Sequence, residues 1–470
     1  MIACLQSSPL LELVRVDESG SVYFDDMSEP VGSRDAFFRW RVSNPKTLFD
    51  SKLIVDAQPL QWDDAQAAGA GGSTTYTAPV VVIRQDVATI GRWTRQTRRR
   101  FNYQPGKSQL AIITGTLLHG VTNPVVGQQI TDFQRIGLFD DNNGLFFEYR
   151  LGGVAGAQFG IVIRNAGVDT FIPEVSAILP CFNGGIVGRI SNTNGGIPAN
   201  APLPQINLGP DPHPILGATA LIAPHCGIDL ARPQVFFIDF EWLGVGDVRF
   251  GVFVNGKPVI LHQIFNCNAI TNPYLANPNL PVRYEVQSTH AGVPFGESGA
   301  VKCICATVIS EGGVDKTGPS RGIDRGDTPM VTLNSNALFP IISVRLKSTA
   351  LMAHIILETL TMVCTTNSAF RWILLLNPTF VGVAPVFAPL ANSPIEFDNT
   401  TVNTTTVTGG TILRSGYGQA AEEAINPVLE NMDAIGASIA GVSDIIVLAV
   451  QRLTAQAETF YASLGWHETI

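Results

Sequence analysis

The sequence predicts a mainly β fold: an antiparallel jelly-roll or concanavalin-like sandwich, a smaller second β unit and a C-terminal α-helical tail. Three observations predict it. Short apolar or alternating runs recur along most of the chain, among them Val80-Val-Val-Ile, Phe146-Phe-Glu-Tyr-Arg-Leu and Val235-Phe-Phe-Ile-Asp-Phe. Turn-forming clusters separate them, including Asp140-Asp-Asn-Asn-Gly, Gly152-Gly, Gly184-Gly and Asn255-Gly-Lys. Asn-Gly is a strong hairpin signal because both central residues of a type I′ turn need positive φ. The last fifty residues change texture to Ala, Glu and Leu at helical spacing.

The elements follow in order. Residues 1–75 read as an N-terminal arm and linker: Pro30, Pro45 and Pro59 interrupt short strands, and Ala65 to Thr75 has the Gly/Ala/Ser content of a flexible connector. Residues 76–325 form the sandwich, with strands at Val80, Leu110, Phe146, Phe159, Val235 and Val248. Its Pro-rich stretch from Asn192 to His225 cannot be a central strand and reads as a long surface loop. Residues 326–418 form the second β unit, with runs at Ile341, Ala353 and Phe370 and a Thr/Val run over Thr400 to Thr408. Residues 419–470 are the tail: Pro427 suits a first helical turn, and Leu429, Met432, Ile435, Ile439, Val442, Ile446, Val450 and Leu453 make an apolar stripe.

Composition narrows function. The 470 residues carry 45% hydrophobic and only 15% charged residues, against about 25% charged in ordinary domains. Such a surface suits packing against neighbours. The net charge of −9 offers no basic face for nucleic acid. Seven cysteines without a CxxC pair read as buried free thiols, not as a disulfide framework or zinc site. Asp444 breaks the apolar stretch Ala434 to Val450, so no membrane span is expected, and the start lacks the pattern of a signal peptide.

Few motifs carry chemistry. Asp239 and Glu241 sit at i and i+2 in Asp239-Phe-Glu-Trp242, on one side of a strand about 7 Å apart. Retaining glycosidases use carboxylates at comparable separation, so Asp239, Glu241 and Trp242 are the candidates for glycan contact. The plainer expectation is that the carboxylates form a polar strand face or pair with Arg249 across the hairpin. No histidine lies in an HxH or HExxH pair, no Gly-rich loop carries a Walker lysine, and no serine sits in a GxSxG elbow. No catalytic residue, metal or cofactor is therefore expected. The run Arg92-Trp-Thr-Arg-Gln-Thr-Arg-Arg-Arg-Phe-Asn-Tyr mixes five arginines with three aromatics. Single-strand nucleic-acid binders use such mixtures, and so do protein interfaces. The interface reading is preferred, with Arg39, Trp40, Arg98, Arg100, Phe101 and Tyr103 as subunit contacts.

Several segments also resemble, in order, a family of virion structural proteins of aquatic tailed phages and some large DNA viruses. They are Arg34-Asp-Ala-Phe-Phe-Arg-Trp-Arg-Val-Ser-Asn-Pro, Arg100-Phe-Asn-Tyr-Gln-Pro-Gly-Lys, Arg135-Ile-Gly-Leu-Phe-Asp-Asp-Asn-Asn-Gly-Leu-Phe-Phe-Glu, Asp239-Phe-Glu-Trp-Leu-Gly-Val-Gly-Asp-Val-Arg-Phe-Gly, Asn279-Leu-Pro-Val-Arg-Tyr-Glu and Val308-Ile-Ser-Glu-Gly-Gly. The resemblance covers about residues 34 to 415. The bulky Phe38-Arg39-Trp40 departs from that family's Gly-Arg-Leu, and the chain beyond Gly418 lies outside it. The resemblance implies a virion protein assembled in the host cytoplasm: a tail, baseplate or fibre component serving assembly and host adsorption. Capsid decoration and a glycan-cleaving tailspike are the alternatives. The expected partners are other virion proteins, further copies of the chain in a trimer, and a host-surface glycan.

Overall fold

The computed structural model describes residues 14–16, 22–24, 44–86, 89–117, 132–150, 158–173, 230, 232–254, 257–289, 300–312, 318–333, 336–366, 368–418 and 435–469. These residues build two antiparallel β-sandwiches and, separately, a small hairpin of Val14–Val16 with Val22–Phe24.

In the first sandwich, a seven-stranded sheet runs in the order Val168–Pro173, Gln158–Asn165, Gly144–Arg150, Asp132–Phe139, Val282–Ser288, Gly91–Thr97, Trp62–Gly69. Against it lies a larger sheet in the order Lys257–Ile264, Val248–Val254, Gln234–Phe240, Gln109–Thr116, Ala300–Glu311, Val80–Gln85, Gly72–Thr77, with Pro45–Ser51 also pairing Ala300–Glu311. Alternation sends Phe236, Ile238 and Phe240 of one sheet against Ile136, Leu138 and Phe147 of the other, within one core.

The second sandwich pairs a small sheet with a six-stranded one. In the small sheet Thr459–Thr469 is flanked by Ser320–Asp324, Met330–Val331 and His354–Cys364. The six-stranded sheet runs Ala388–Pro389, Ile395–Asp398, Phe339–Leu346, Ile445–Arg452, Phe370–Leu376, Thr411–Gly418. Leu360, Met362, Phe460, Leu464 and Trp466 pack there on Phe339, Trp372, Leu374, Leu448 and Val450.

Three expectations need correction. The helical tail is not supported: Ile445–Arg452 and Thr459–Thr469 are strands. Ile446, Leu448 and Val450 face the main core, while Val447 and Ala449 face a second cluster with Ile373 and Val407. A strand buried on both faces reads as a continuous apolar run, and periodicity alone cannot separate it from a buried helix. Leu429 and Met432 lie outside the described residues. The connector reading of Ala65 to Thr75 also fails. Trp62–Gly69 and Gly72–Thr77 are strands, one in each sheet of the sandwich. Their small residues serve a tight corner: Gly69 has φ +65°, and a Cβ there would stand 2.1 Å from the Ile90 carbonyl oxygen. Finally, the boundary falls between Glu311 and Ser320, because Ser320–Asp324 pairs with Thr459–Thr469. Of the Thr400 to Thr408 run, Thr406–Thr408 is strand. The loop from Asn192 to His225 lies outside the described residues.

The two sandwiches meet at a polar seam. Arg98 reaches Asp63 at 3.4 Å and also pairs with Asp444 of the second sandwich. The Ala437 amide donates to the Arg98 carbonyl at 2.8 Å, and the Ile439 amide to Asp63 at 2.7 Å. Asn279 Nδ2 donates to the Met352 carbonyl at 3.3 Å. Nearby, His354 is held at a pKa of about 4 by burial, by Arg99 and by His467. Its Nδ1 has no hydrogen-bond partner among the described residues.

Candidate functional site

Asp239 lies on the Gln234–Phe240 strand with its side chain opposite the core-facing Ile238 and Phe240. It stands directly across from Arg249, whose Nη2 donates to Asp239 Oδ2 at 2.6 Å. Neither has appreciable exposure (0% and 3%). The pairing with Arg249 across the hairpin is thus observed for Asp239, while Glu241 lies just beyond the end of the strand at Phe240. Glu241 is likewise fully buried. Its amide donates to the Asp247 carbonyl and its own carbonyl accepts from Tyr274 Oη. Burial raises the Asp247 carboxyl, against the opposing effects of Asn266, Gln263 and Arg249. The strand ends in a rigid tip. Leu243 and Gly244 take φ of +32° and +78°, and a Cβ on Gly246 would stand 1.8 Å from the Glu241 carbonyl oxygen.

Trp242 is half-buried at the rim of the core. Its Nε1 donates to the Leu275 carbonyl at 2.9 Å and its amide to Tyr103 Oη at 2.9 Å. Tyr103 stacks on Phe240 with ring centres 5.6 Å apart, and meets Trp242 edge-on at 6.3 Å. Asn279 Oδ1 accepts from the Tyr103 amide at 2.8 Å. Two residues read separately in the sequence, one as interface and one as glycan contact, are thus neighbours.

The remaining predicted contacts are spent within the chain. Phe101 is buried 5.2 Å from Phe49, and Tyr103 is buried as described. Arg98 joins the seam, and Arg100 pairs with Asp140. In this fold the rings of Phe101 and Tyr103 pack into the chain's own core, and Arg98 and Arg100 each meet a carboxylate of their own chain. Arg39 and Trp40 lie outside the described residues.

Sequence reasoning missed a larger cluster. Across four neighbouring strands of the seven-stranded sheet, Glu148, Arg135, Glu285 and Thr94 stand in register. Arg135 Nε donates to Glu148 at 2.6 Å, and its Nη1 bonds Glu285. Arg283 joins Glu285 at 3.2 Å and Asp141 at 2.6 Å, Arg92 reaches Asp141 at 3.0 Å, and Arg150 pairs with Glu148. Burial on its own would raise the Glu285 carboxyl, but Arg135, Arg283 and Arg92 hold it below its ordinary range. Burial also opposes ionisation of Asp141, yet Arg283 and Arg92 bring it down to about 2. Aromatic rings line the layer: Arg150 lies 3.7 Å from the Phe171 ring centre and Arg135 4.7 Å from that of Phe133. The signal in sequence was the i, i+2 charges Arg283 and Glu285, alternating with the apolar Val282, Tyr284 and Val286 of one strand. The network sets four guanidinium groups against three carboxylates. It fixes strand register, and its carboxylates are occupied by guanidinium groups.

No protein family and no curated protein matches the sequence. Among solved structures, the chain is similar to an endo-1,3-beta-glucanase from Streptomyces sioyaensis, with 10% identity, coverage of 57% of this chain and 97% of the other, and a TM-score of 0.32. It is similar also to the CBM2 module of the evolved Dit of Lactobacillus casei BL23 phage J-1, at 7% identity, 58% and 98% coverage and a TM-score of 0.30. The Emp47p carbohydrate recognition domain matches at 10% identity, 57% and 96% coverage and a TM-score of 0.29. The fold is mainly antiparallel β-sandwich, with no helix among the described residues.

Proposed function

We propose that this chain is a structural subunit of a virus particle, a tail, baseplate or fibre component that serves assembly and host adsorption and performs no chemistry. One observation supports this reading above the others. Segments that resemble virion structural proteins meet in one place: Arg100 with Asp140, Tyr103 with Asn279, and Arg135 with Glu148 and Glu285. The residues of these motifs hold a sandwich together. The Asp239 carboxylate is matched by Arg249 inside the sheet, which suits a strand-pairing role better than proton transfer.

The reading is tested by imaging intact particles labelled with an antibody to this chain. Label at the tail supports it. Label spread over the capsid shell replaces it with a decoration role. The tailspike reading is tested by incubating the purified chain and the Asp239→Asn, Glu241→Gln double variant with host polysaccharide. Chain shortening by the unaltered protein that disappears in the variant, with melting unchanged, would establish catalysis and overturn the proposal.

A further inference from the structure

We propose that the outer face of the small sheet in the second sandwich binds one neutral pyranose unit, at a place apart from the Asp239–Trp242 region. The site is a shallow open pocket of about 200 Å³ lined by Asp324, Thr361, Val363, Tyr461 and Ser463, among others. Sites for drug-sized ligands occupy roughly 300–1,000 Å³, so this one has room for a single ring.

Its chemistry follows from strand register. Asp324, Ser463 and Thr361 stand side by side across three neighbouring strands. They offer a carboxylate and two hydroxyls in one row, and the Thr361 and Ser463 hydroxyls are hydrogen-bonded to each other. The next outward row places Tyr461 beside Val363. Between them, Leu360, Met362, Phe460, Ala462 and Leu464 point into the core, so alternation turns both rows toward solvent. A polar row beside an aromatic and aliphatic row matches a sugar ring, which has a hydroxyl edge and an apolar C–H face.

The wall of the pocket is fixed. Gly326 takes φ +67° and its amide donates to Asp324 Oδ1 at 2.7 Å. The Arg325 guanidinium is directed to the Thr328, Ile341 and Thr401 carbonyls. With that cation committed and Asp324 exposed at the rim, the site suits a neutral sugar over an anionic one. This inference goes beyond the virion reading and does not depend on it.

The test is saturation-transfer NMR on the full chain with the methyl glycosides of glucose, galactose, mannose and N-acetylglucosamine. Transfer to ring protons of at least one is expected. Tyr461→Ala and Asp324→Asn should each weaken binding by about tenfold, while Tyr461→Phe keeps the ring contact and Val55→Ala, at an exposed position of the first sandwich, changes nothing. Val363→Arg fills the pocket from an exposed position and should abolish transfer, which keeps the test sound if Tyr461→Ala fails to fold. Absence of transfer to all four probes overturns the proposal, as does transfer that survives Val363→Arg or is lost in Val55→Ala.

Discussion

Acid should weaken this protein through His354. Burial of its ring disfavours the charged form, and Arg99 and His467 at the seam add to that effect. The folded chain therefore resists the proton that the unfolded chain accepts at the ordinary value of 6.5. The sign follows from linkage: a depressed folded value leaves stability untouched above pH 6.5, removes it progressively as pH falls, and reaches its full cost near the folded value of about 4. A gap of that size corresponds to at most about 3.5 kcal/mol at roughly 1.4 kcal/mol per unit. For a unit of this size that is roughly 7–14 °C in melting temperature. The assay is a set of thermal melts between pH 7.5 and 4, expressed as approximate steps of half a unit, for the natural chain and His354→Gln. Acid-sensitive carboxylates contribute equally to both, so the difference isolates the histidine. The natural chain should lose stability relative to the variant as pH falls from neutrality. Parallel profiles across that range would refute the reasoning.

Other outcomes follow from the geometry. Arg135→Met leaves Glu148 to Arg150 and Glu285 to Arg283 and Arg92, with one guanidinium fewer between two buried carboxylates, and should cost about 3 kcal/mol in denaturant unfolding; adding Glu148→Gln and Glu285→Gln should recover part of it. Arg98→Ala removes the bridge between Asp63 and Asp444, so hydrogen exchange at the Ala437 and Ile439 amides should quicken by about tenfold or more while core strands stay protected. Asp141 is held at about 2, so its contribution is present above the ordinary 3.8 and lost as pH falls through about 2. Asp141→Asn should therefore flatten the acid limb of a stability profile in that window. Gly246→Ala forces a Cβ against the Glu241 carbonyl and should lower the melting temperature more than Gly326→Ala, whose Cβ meets nothing within 4 Å.

The sandwich was legible where apolar and polar residues alternate or where turns announce themselves, as around Phe146 and Asp140. The Asp239–Arg249 pair was legible too, because a short hairpin brings near neighbours face to face. Ile445 to Val450 was not, since a strand covered on both sides has no period to display. The Arg135 network was hidden for a different reason. Its partners lie 13 and 150 positions apart, and only the completed sheet aligns Glu148, Arg135 and Glu285. In the arginine run at Arg92 to Arg100 the charges look free in sequence. Arg92, Arg95, Arg98 and Arg100 meet carboxylates only once distant strands close, as Arg98 does with Asp444, 346 positions away.

The Thr459–Thr469 strand carries a kinetic consequence. Asp324 waits for Ser463, 139 positions later, before its strand has any partner in that sheet. At about 5–20 residues per second on the ribosome, the delay is on the order of 7–28 s. During that time Ser320–Asp324, Met330–Val331 and His354–Cys364 present open edges to whatever is near. The second sandwich thus depends for its closure on one late segment, and a chain stopped short of it would emerge with its edges bare, open to pairing with the wrong strands.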